Sequence, residues 1–453
     1  MFRCASALII WAIISWAAAA MPLPTTPWAE DREDPIYLNL PGSEAEAIDV
    51  GKKGHLIAVT VAEEVPDIKD DAYISSIAVV EHRPHAEVPL REKFTVSLGP
   101  GEITDVAVDP EGHFMIANIC ADDLNEINQL VLLRDDKEVS RIDLPDSADG
   151  IKLSPDGNYL VVAIEKNEMV QIYRVTEKGQ DLKLVAEMGR DSFDPFFIGE
   201  EDRLAREDLE PESVVFTPDG AMALVTLQEQ ASVAIIDMKA LRDGRQVGPV
   251  EAGERVLANV VHLPFGLKNS RGRLVGGAPD GLSVSPDGSF ALIANEADSR
   301  SKHLMGLSVI DLRGGPRDIP EPITYCIFDL DTSLLDGTGL SSCPEAGANG
   351  EYPDDADLLP RLDPNNTVVI DRGGRLIGAV NIERATEVQD RGSVLFLDVT
   401  DALEGKAPIK IDRKLVGRGR GARPEGLRAT NDRYVFVGIQ DDGGTLARFD
   451  LGE

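Results

Sequence analysis

The chain is poor in the residues that carry most metal and nucleophile chemistry. Its 453 residues include six histidines and four cysteines. No two histidines stand at metal-ligand spacing, and the sequence has no Gly-x-Ser-x-Gly elbow, Walker A loop, Cys-x-x-Cys-His motif or zinc-ligand spacing. These absences exclude elbow-type serine hydrolases, P-loop enzymes, c-type haem attachment and the common zinc sites.

Positive charge is also scarce. The formal net charge is −34, from 45 Lys and Arg against 79 Asp and Glu. We therefore expect no broad basic face and no nucleic-acid partner, since phosphate contacts drive that binding. The acidity favours solubility, and cation binding would use only a few of these acids. Aromatic residues make up 5% of the chain and no Trp-Asp dipeptide occurs, which excludes the repeat class marked by that dipeptide.

The first residues have the composition of a secretory leader. Met1–Arg3 is a short positive start, Ala5–Ala17 is apolar, and Ala18–Ala20 offers a small-residue cleavage site. We predict a signal peptide over residues 1–20, a linker over 21–35, and a periplasmic or secreted protein. An uncleaved anchor is the alternative. After cleavage we expect no membrane contact, because no other run of the sequence is long and apolar enough.

The dominant pattern is a short apolar alternation, a tight turn and a second apolar run. The clearest copies are Val106–Gly112, Ile151–Gly157, Val214–Gly220 and Leu282–Gly288. The weaker copies are Leu427–Arg433, Val368–Gly374 and Ile48–Gly54. In Pro-Asp-Gly turns Pro fixes φ and Gly takes positive φ, so each copy predicts two antiparallel strands. Seven copies predict an all-β fold, a seven-bladed β-propeller over residues 36–453.

The last repeat contains one strand fewer than a complete blade. The pattern ends with Leu446–Asp450, and Ile36–Leu40 is an unassigned strand-like run before the first repeat. We predict that this N-terminal run is the fourth strand of the last blade, because an open edge would invite aggregation. We expect the closed ring to be a monomer.

An irregular acidic insertion at about residues 325–360 interrupts the repeats. Cys326 and Cys343 flank part of it, and an exported protein can form disulfides, so we predict a bridge between them. Cys120 ends an apolar run and is predicted to be a buried thiol.

One repeat carries a family resemblance. It reads Pro-Glu-Ser-Val-Val-Phe-Thr-Pro-Asp-Gly over residues 211–220, with Val225–Glu229 and Ala234–Asp237 behind it. The repeats resemble bacterial YVTN-type and lactonase-like seven-bladed propellers, and this stretch resembles the exported choice-of-anchor I or phytase-like group. The lactonase-like resemblance implies ester or lactone hydrolysis, and the phytase-like one implies a phosphoesterase that uses Ca²⁺. No catalytic motif transfers residue by residue, so the resemblance predicts the fold better than an activity.

Equivalent positions in the repeats predict an oxygen-rich ring at the upper mouth of the channel, where the first strand of each blade begins. These positions hold Glu46, Thr104, Asp149, Glu212, Asp280, Asn366 and Glu425. Such oxygens suit a hard cation, so we predict a metal site, with Ca²⁺ as the expected ion, formed by Glu46, Asp149, Glu212, Asp280, Asn366 and Glu425. The alternative is that these side chains cap backbone N–H groups or stay hydrated.

The second strand of each blade returns to the same mouth and predicts a second ring. Its members are Glu63, Asn118, Glu165, Gln228, Glu296, Glu383 and Gln440. Arginines in the connections predict cations at the rim, which would hold an anionic ligand or neutralise nearby acids. The rim candidates are Arg271, Arg273, Arg420 and Arg423. His262 is the candidate general base on this face.

Two functions fit these patterns. The first is a non-catalytic exported binding or scaffold propeller with an acidic, Ca²⁺-binding mouth. The alternative is a metal-dependent hydrolase of phosphoester or lactone type, in which a metal activates water and the arginines hold the substrate. The expected partner is accordingly a protein or a small anionic molecule at the mouth.

Overall fold

The structure is a computed structural model. It describes residues 35–42, 44–51, 54–64, 73–121, 127–176, 179–197, 209–244, 248–268, 274–276, 278–296, 306–326, 341–342, 364–383, 392–417, 422–430, 433–440 and 443–452. The predicted signal peptide, the linker up to residue 34 and most of the acidic insertion lie outside these residues. Among the described residues, no helix has both the length and the apolarity needed to cross a membrane.

Thirty-one strands form the described part of the chain. The first seventeen are β1 (Ile36–Asn39), β2 (Glu44–Val50), β3 (Leu56–Glu64), β4 (Tyr73–His82), β5 (Leu90–Pro100), β6 (Glu102–Val108), β7 (Met115–Cys120), β8 (Gln129–Arg134), β9 (Lys137–Asp143), β10 (Ala148–Leu153), β11 (Tyr159–Ile164), β12 (Met169–Thr176), β13 (Asp181–Met188), β14 (Pro211–Phe216), β15 (Met222–Leu227), β16 (Ser232–Asp237) and β17 (Leu257–His262).

The second part of the chain supplies the remaining strands. They are β18 (Pro264–Lys268), β19 (Leu274–Gly276), β20 (Ala278–Val284), β21 (Phe290–Glu296), β22 (Gly306–Asp311), β23 (Ile323–Cys326), β24 (Ser341–Ser342), β25 (Pro364–Asp371), β26 (Leu376–Ile382), β27 (Ser393–Asp398), β28 (Ile409–Leu415), β29 (Arg423–Thr430), β30 (Tyr434–Gln440) and β31 (Thr445–Asp450). Short helices connect some of them: α1 (Arg190–Phe197), α2 (Met238–Asp243), α3 (Pro249–Val256) and a 3-10 helix (Ala402–Glu404).

These strands form seven antiparallel blades in a ring, as the repeats predict. Each blade has four strands, called a to d from the channel outward, and the fifth blade adds β24 outside β23. Blades one to four are β2–β5, β6–β9, β10–β13 and β14–β17, blade five is β20–β24, and blade six is β25–β28. Blade seven consists of β29, β30, β31 and β1. The predicted closure by the N-terminal strand is therefore confirmed.

The Pro-Asp-Gly turns between strands a and b are held by their own aspartates. In blade four, Asp219 Oδ1 accepts hydrogen bonds from the Ala221 N–H at 2.9 Å and the Thr217 hydroxyl at 2.7 Å. These two hydrogen bonds hold the pKa of Asp219 below its usual range. Gly220 completes the turn at a φ of +67°, which a residue with a Cβ rarely adopts.

Apolar side chains on both faces of each blade pack against the neighbouring blades. Between blades six and seven, the rings of Phe396 and Phe449 meet edge to face with 5.8 Å between centroids. Both residues are buried, as are the β-branched residues around them. Burial of this kind on both faces fixes which strand positions point toward the channel, and so it positions the mouth.

Cys120 is a free, buried thiol, as its place at the end of an apolar run predicts. Burial raises the pKa of this thiol to about 12. Cys326 is the last residue of β23, and Cys343 lies outside the described residues. The bridge between Cys326 and Cys343 stays a prediction.

Candidate functional site

A β-bulge interrupts strand a of every blade at the predicted ring position. The register between strands a and b shifts there in all seven blades. In blade one the shift falls between Ala45 and Ile48, on either side of Glu46. A bulge adds a residue and turns its side chain out of the regular alternation. The repeated bulge therefore directs one side chain of each blade into the mouth.

Polar residues of strand b hold these bulges in shape. In three blades the residue opposite the bulge accepts the N–H that the bulge leaves unpaired. The pairs are Ala47 N to Thr60 Oγ1 (2.9 Å), Asp105 N to Asn118 Oδ1 (2.8 Å) and Ser213 N to Thr226 Oγ1 (2.9 Å).

The same strand-b residues also reach the next blade. Thr226 donates to the Asp280 carbonyl oxygen at 3.0 Å, and Asn381 donates to the Glu425 carbonyl oxygen at 2.7 Å. Asn118 donates to the Ala148 carbonyl oxygen. The prediction that Asn118 belongs to the second ring is wrong, because Asn118 is fully buried and Cys120 ends its strand.

The bulges bring the predicted first ring together around one cavity of about 240 Å³. All seven ring positions line it: Glu46, Thr104, Asp149, Glu212, Asp280, Asn366 and Glu425. Their side chains are half-buried, because protein surrounds them on every side except the cavity. The cavity is also lined by Asp105, Asn365, Arg428 and Gln440.

Crowding and burial shift the protonation of this ring. Burial raises the pKa of Glu46 to about 8, with a further rise from the nearby Glu102 carboxylate. Burial and the Glu165 carboxylate raise the pKa of Asp149 to about 7. The same two causes raise the pKa values well above their ordinary range for Glu212, Asp280 and Glu425. Without a cation, the ring therefore holds protons near neutral pH.

Hydrogen bonds satisfy only part of the ring. Glu46 accepts from Gln440 Nε2 at 3.1 Å, and Glu425 accepts from Asn365 Nδ2 at 2.9 Å. Asp149 Oδ2 is buried and finds no hydrogen-bond partner within the described part of the chain. The Glu212 and Asp280 carboxylates likewise make no hydrogen bond to another described residue.

A charged cluster lies one turn of the pleat deeper in the channel and was missed in the sequence. Asp49 is 5% exposed and accepts a hydrogen bond from Val108 N at 2.8 Å. Lys152 Nζ forms an ion pair with Asp49, and Arg428 Nε lies 3.7 Å from Asp49 Oδ1. All three follow ring residues by three positions in strand a, which is the signal that could have found them. Their mutual pairing leaves the carboxylates of the ring without a strong cation of their own.

The second ring contributes mainly charge. Gln440 is its one member that lines the cavity. Glu165 raises the pKa of Asp149, while Glu296 and Glu383 raise that of Asp280. Gln228 lies in the turn between strands b and c, where its backbone carbonyl accepts from Ala231 N at 3.0 Å.

The rim cations are only partly described. Arg423 Nη1 lies 3.6 Å from Glu383 Oε1, so this arginine neutralises a second-ring acid. Arg271, Arg273 and Arg420 lie outside the described residues.

His262 lies far from the axis of the ring, on the outermost strand of blade four. Its Nδ1 is 2.7 Å from Ser232 Oγ, and its ring lies against Phe197 with 5.3 Å between centroids. The residues that line the cavity do not include it. The expectation of a general base at the mouth is therefore wrong for this histidine.

The ring offers oxygen donors of the kind that Ca²⁺ prefers, and the unsatisfied carboxylates fit a cation in charge. Within the described residues, however, no three His, Cys, Asp or Glu side chains are close enough together to hold a metal ion. The carboxylates surround an open cavity instead of meeting at one point.

No protein-family model and no curated protein matches the chain. Two solved structures have a similar fold. The β-propeller domain of Cps50 (Swd1) from Myceliophteria thermophila is 10% identical with a TM-score of 0.55, covering 93% of this chain and 99% of that one. Hydrazine synthase from Kuenenia stuttgartiensis is 14% identical with a TM-score of 0.55, covering 90% of this chain and 96% of that one. At these identities the similarity shows the propeller fold alone.

Proposed function

We propose that this protein is an exported, non-catalytic binding propeller whose upper mouth binds a cationic ligand. The observation that carries the proposal is the convergence of five carboxylates on one cavity. They are Glu46, Asp149, Glu212, Asp280 and Glu425.

Electrostatics supports a cation in this cavity. Burying several carboxylates together is unfavourable unless they take up protons, stay hydrated or bind a positive charge. The pKa values of Glu46 and Asp149 lie near the neutral range, at about 8 and about 7. A cation can therefore displace their protons with little change in pH.

The hydrolase alternative has less support. It requires a metal that activates water and a group that moves protons beside it. His262 was the candidate for the second role, and it lies on the outer strand of blade four. An anionic substrate would also be repelled by the ring unless a cation is already bound.

Thermal denaturation with Ca²⁺ tests the proposal. A ligand that binds only the folded state raises the melting temperature, by about 2.7 kcal/mol of stability at a concentration of 100 times Kd. We expect a rise with Ca²⁺ in the native protein and its loss in the double variant Glu212→Gln, Asp280→Asn. The matched control is Asp136→Asn, which removes an exposed charge on blade two and should leave the rise intact.

Two results would contradict the proposal. An equal rise in the double variant would place the Ca²⁺ site outside the mouth. Absence of any rise with Ca²⁺ and with ammonium compounds would show that the mouth binds no cation.

A further inference from the structure

The acids of the ring are not spread evenly around the mouth. Blades three, four and five contribute the first group, the large arc: Asp149, Glu212 and Asp280. Blades seven and one, which adjoin at the closure, contribute the second group, the small arc: Glu425 and Glu46. Neutral side chains separate the two arcs, with Thr104 in blade two and Asn366 in blade six. The mouth thus has two negative regions that face each other across the channel.

The neutral positions use their polar atoms within the protein. The Thr104 hydroxyl donates to the Ala148 carbonyl oxygen at 2.6 Å. Asn366 Oδ1 accepts from Thr367 N at 3.1 Å. These two residues therefore close the gaps between the arcs without adding charge.

The large arc has the greater unmet demand for donors. Asp149 Oδ2 is buried without a hydrogen-bond partner in the described structure. Asp280 and Glu212 are enclosed by protein on all sides but the cavity, and their carboxylates bond to no other described residue. In the small arc, Gln440 and Asn365 already donate one hydrogen bond to each carboxylate.

The size of the cavity also limits the ligand. A volume of about 240 Å³ is far larger than a bare ion needs, since one water molecule occupies about 30 Å³ in the liquid. No metal-like group of three ligands occurs among the described side chains. The cavity suits a small organic molecule with several N–H donors better than a single ion.

We propose that the ligand is a linear aliphatic diamine or polyamine that lies across the mouth. One ammonium group binds the large arc and a second binds the small arc, while the methylene chain crosses between Thr104 and Asn366. Each ammonium supplies three donors, which the large-arc carboxylates lack. This inference rests on the proposed cation-binding function and specifies the ligand for the same cavity.

Calorimetry with amines of one and several charges tests the inference. We expect putrescine and spermidine to bind at least about tenfold more tightly than butylamine, because a second charge-assisted contact forms. Glu46→Gln should weaken putrescine binding by about tenfold and butylamine binding by much less, whereas Asp280→Asn should weaken both. Asp136→Asn serves as the control for the loss of one negative charge. Proton release, measured in buffers of different ionisation enthalpy, should accompany binding near pH 7.

The outcomes separate this inference from the proposed function. If Ca²⁺ binds at the mouth but putrescine binds no better than butylamine, the two-arc inference is wrong and the cation-binding function stands. If neither Ca²⁺ nor any amine binds, both are wrong. Equal losses for putrescine and butylamine in Glu46→Gln would also contradict the inference. Far-ultraviolet circular dichroism of each variant verifies that the propeller is intact.

Discussion

Leu38 lies directly opposite Leu446 in the sheet of the last blade. The strand that contains Leu38 is the first described strand of the chain, and the strand that contains Leu446 is the last. Leu38 also packs against the apolar layer between blades seven and one. This pair thus joins the two ends of the chain and closes the ring.

The closure strand should contribute measurably to stability. We expect Leu38→Asp to lower the free energy of unfolding by about 2–4 kcal/mol, because it removes apolar contacts and places a charge against the core. Urea denaturation measures the change. Asn39→Asp, on the exposed neighbour, should have little effect. Similar losses in both variants would show that the closure strand is unimportant for the ring.

Stability should fall as pH rises through the neutral range. The pKa of Glu46 is raised from 4.5 to about 8 in the folded protein, so the folded state holds the proton more tightly than the unfolded state. Its contribution is fully present below pH 4.5, falls as pH rises and is lost once pH passes about 8. Each pKa unit corresponds to about 1.4 kcal/mol.

Glu46→Gln is the matching variant for the pH dependence. We expect urea unfolding at several pH values between 5 and 8 to show a smaller slope in this variant than in the native protein. Asp136→Asn should keep the native slope. A native stability that rises over this range would contradict the proton-holding ring.

Gly426 allows blades seven and one to approach at the small arc. A Cβ at this position would overlap the Glu46 carbonyl oxygen of the neighbouring blade. We expect Gly426→Ala to lower stability by about 1–3 kcal/mol and to weaken cation binding. Gly189→Ala is the control, since a Cβ there meets no atom within 4 Å. Equal stability of the two variants would contradict the close approach of the blades.

Thiol titration should separate native and denatured states. Cys120 is buried and its pKa is raised to about 12, so the folded protein should not react there. If Cys326 and Cys343 form the predicted bridge, denaturation of the leaderless protein without reductant should expose one thiol. Two or more thiols under those conditions would rule out the bridge.

Periodic features were predictable because each repeat carries the same local signals. The turn at Thr217–Gly220 needs only a hydroxyl, an aspartate and a glycine, and all three are visible in the sequence. Equivalent positions in a ring must converge, which is why Glu46 and Glu425 could be matched to one mouth although they lie in the first and last repeats.

Features that depend on contacts between blades were not predictable from one repeat. Asn118 was matched to the second ring by counting from the turn, but it is the buried residue that holds a bulge and the next blade. The ion pair between Lys152 and Asp49 joins blades three and one, which no local pattern reveals. His262 was placed by its loop, whereas strand pairing with Ser232 puts it on an outer edge.

The small arc has a consequence for the order of assembly. Glu46 comes from the first blade, and Gln440, which donates to it, comes from the last. A growing chain therefore presents the large arc while it is still an open crescent, and the second binding region appears only when its two ends meet. Tight capture of a ligand that needs both arcs would then report that synthesis and ring closure are complete.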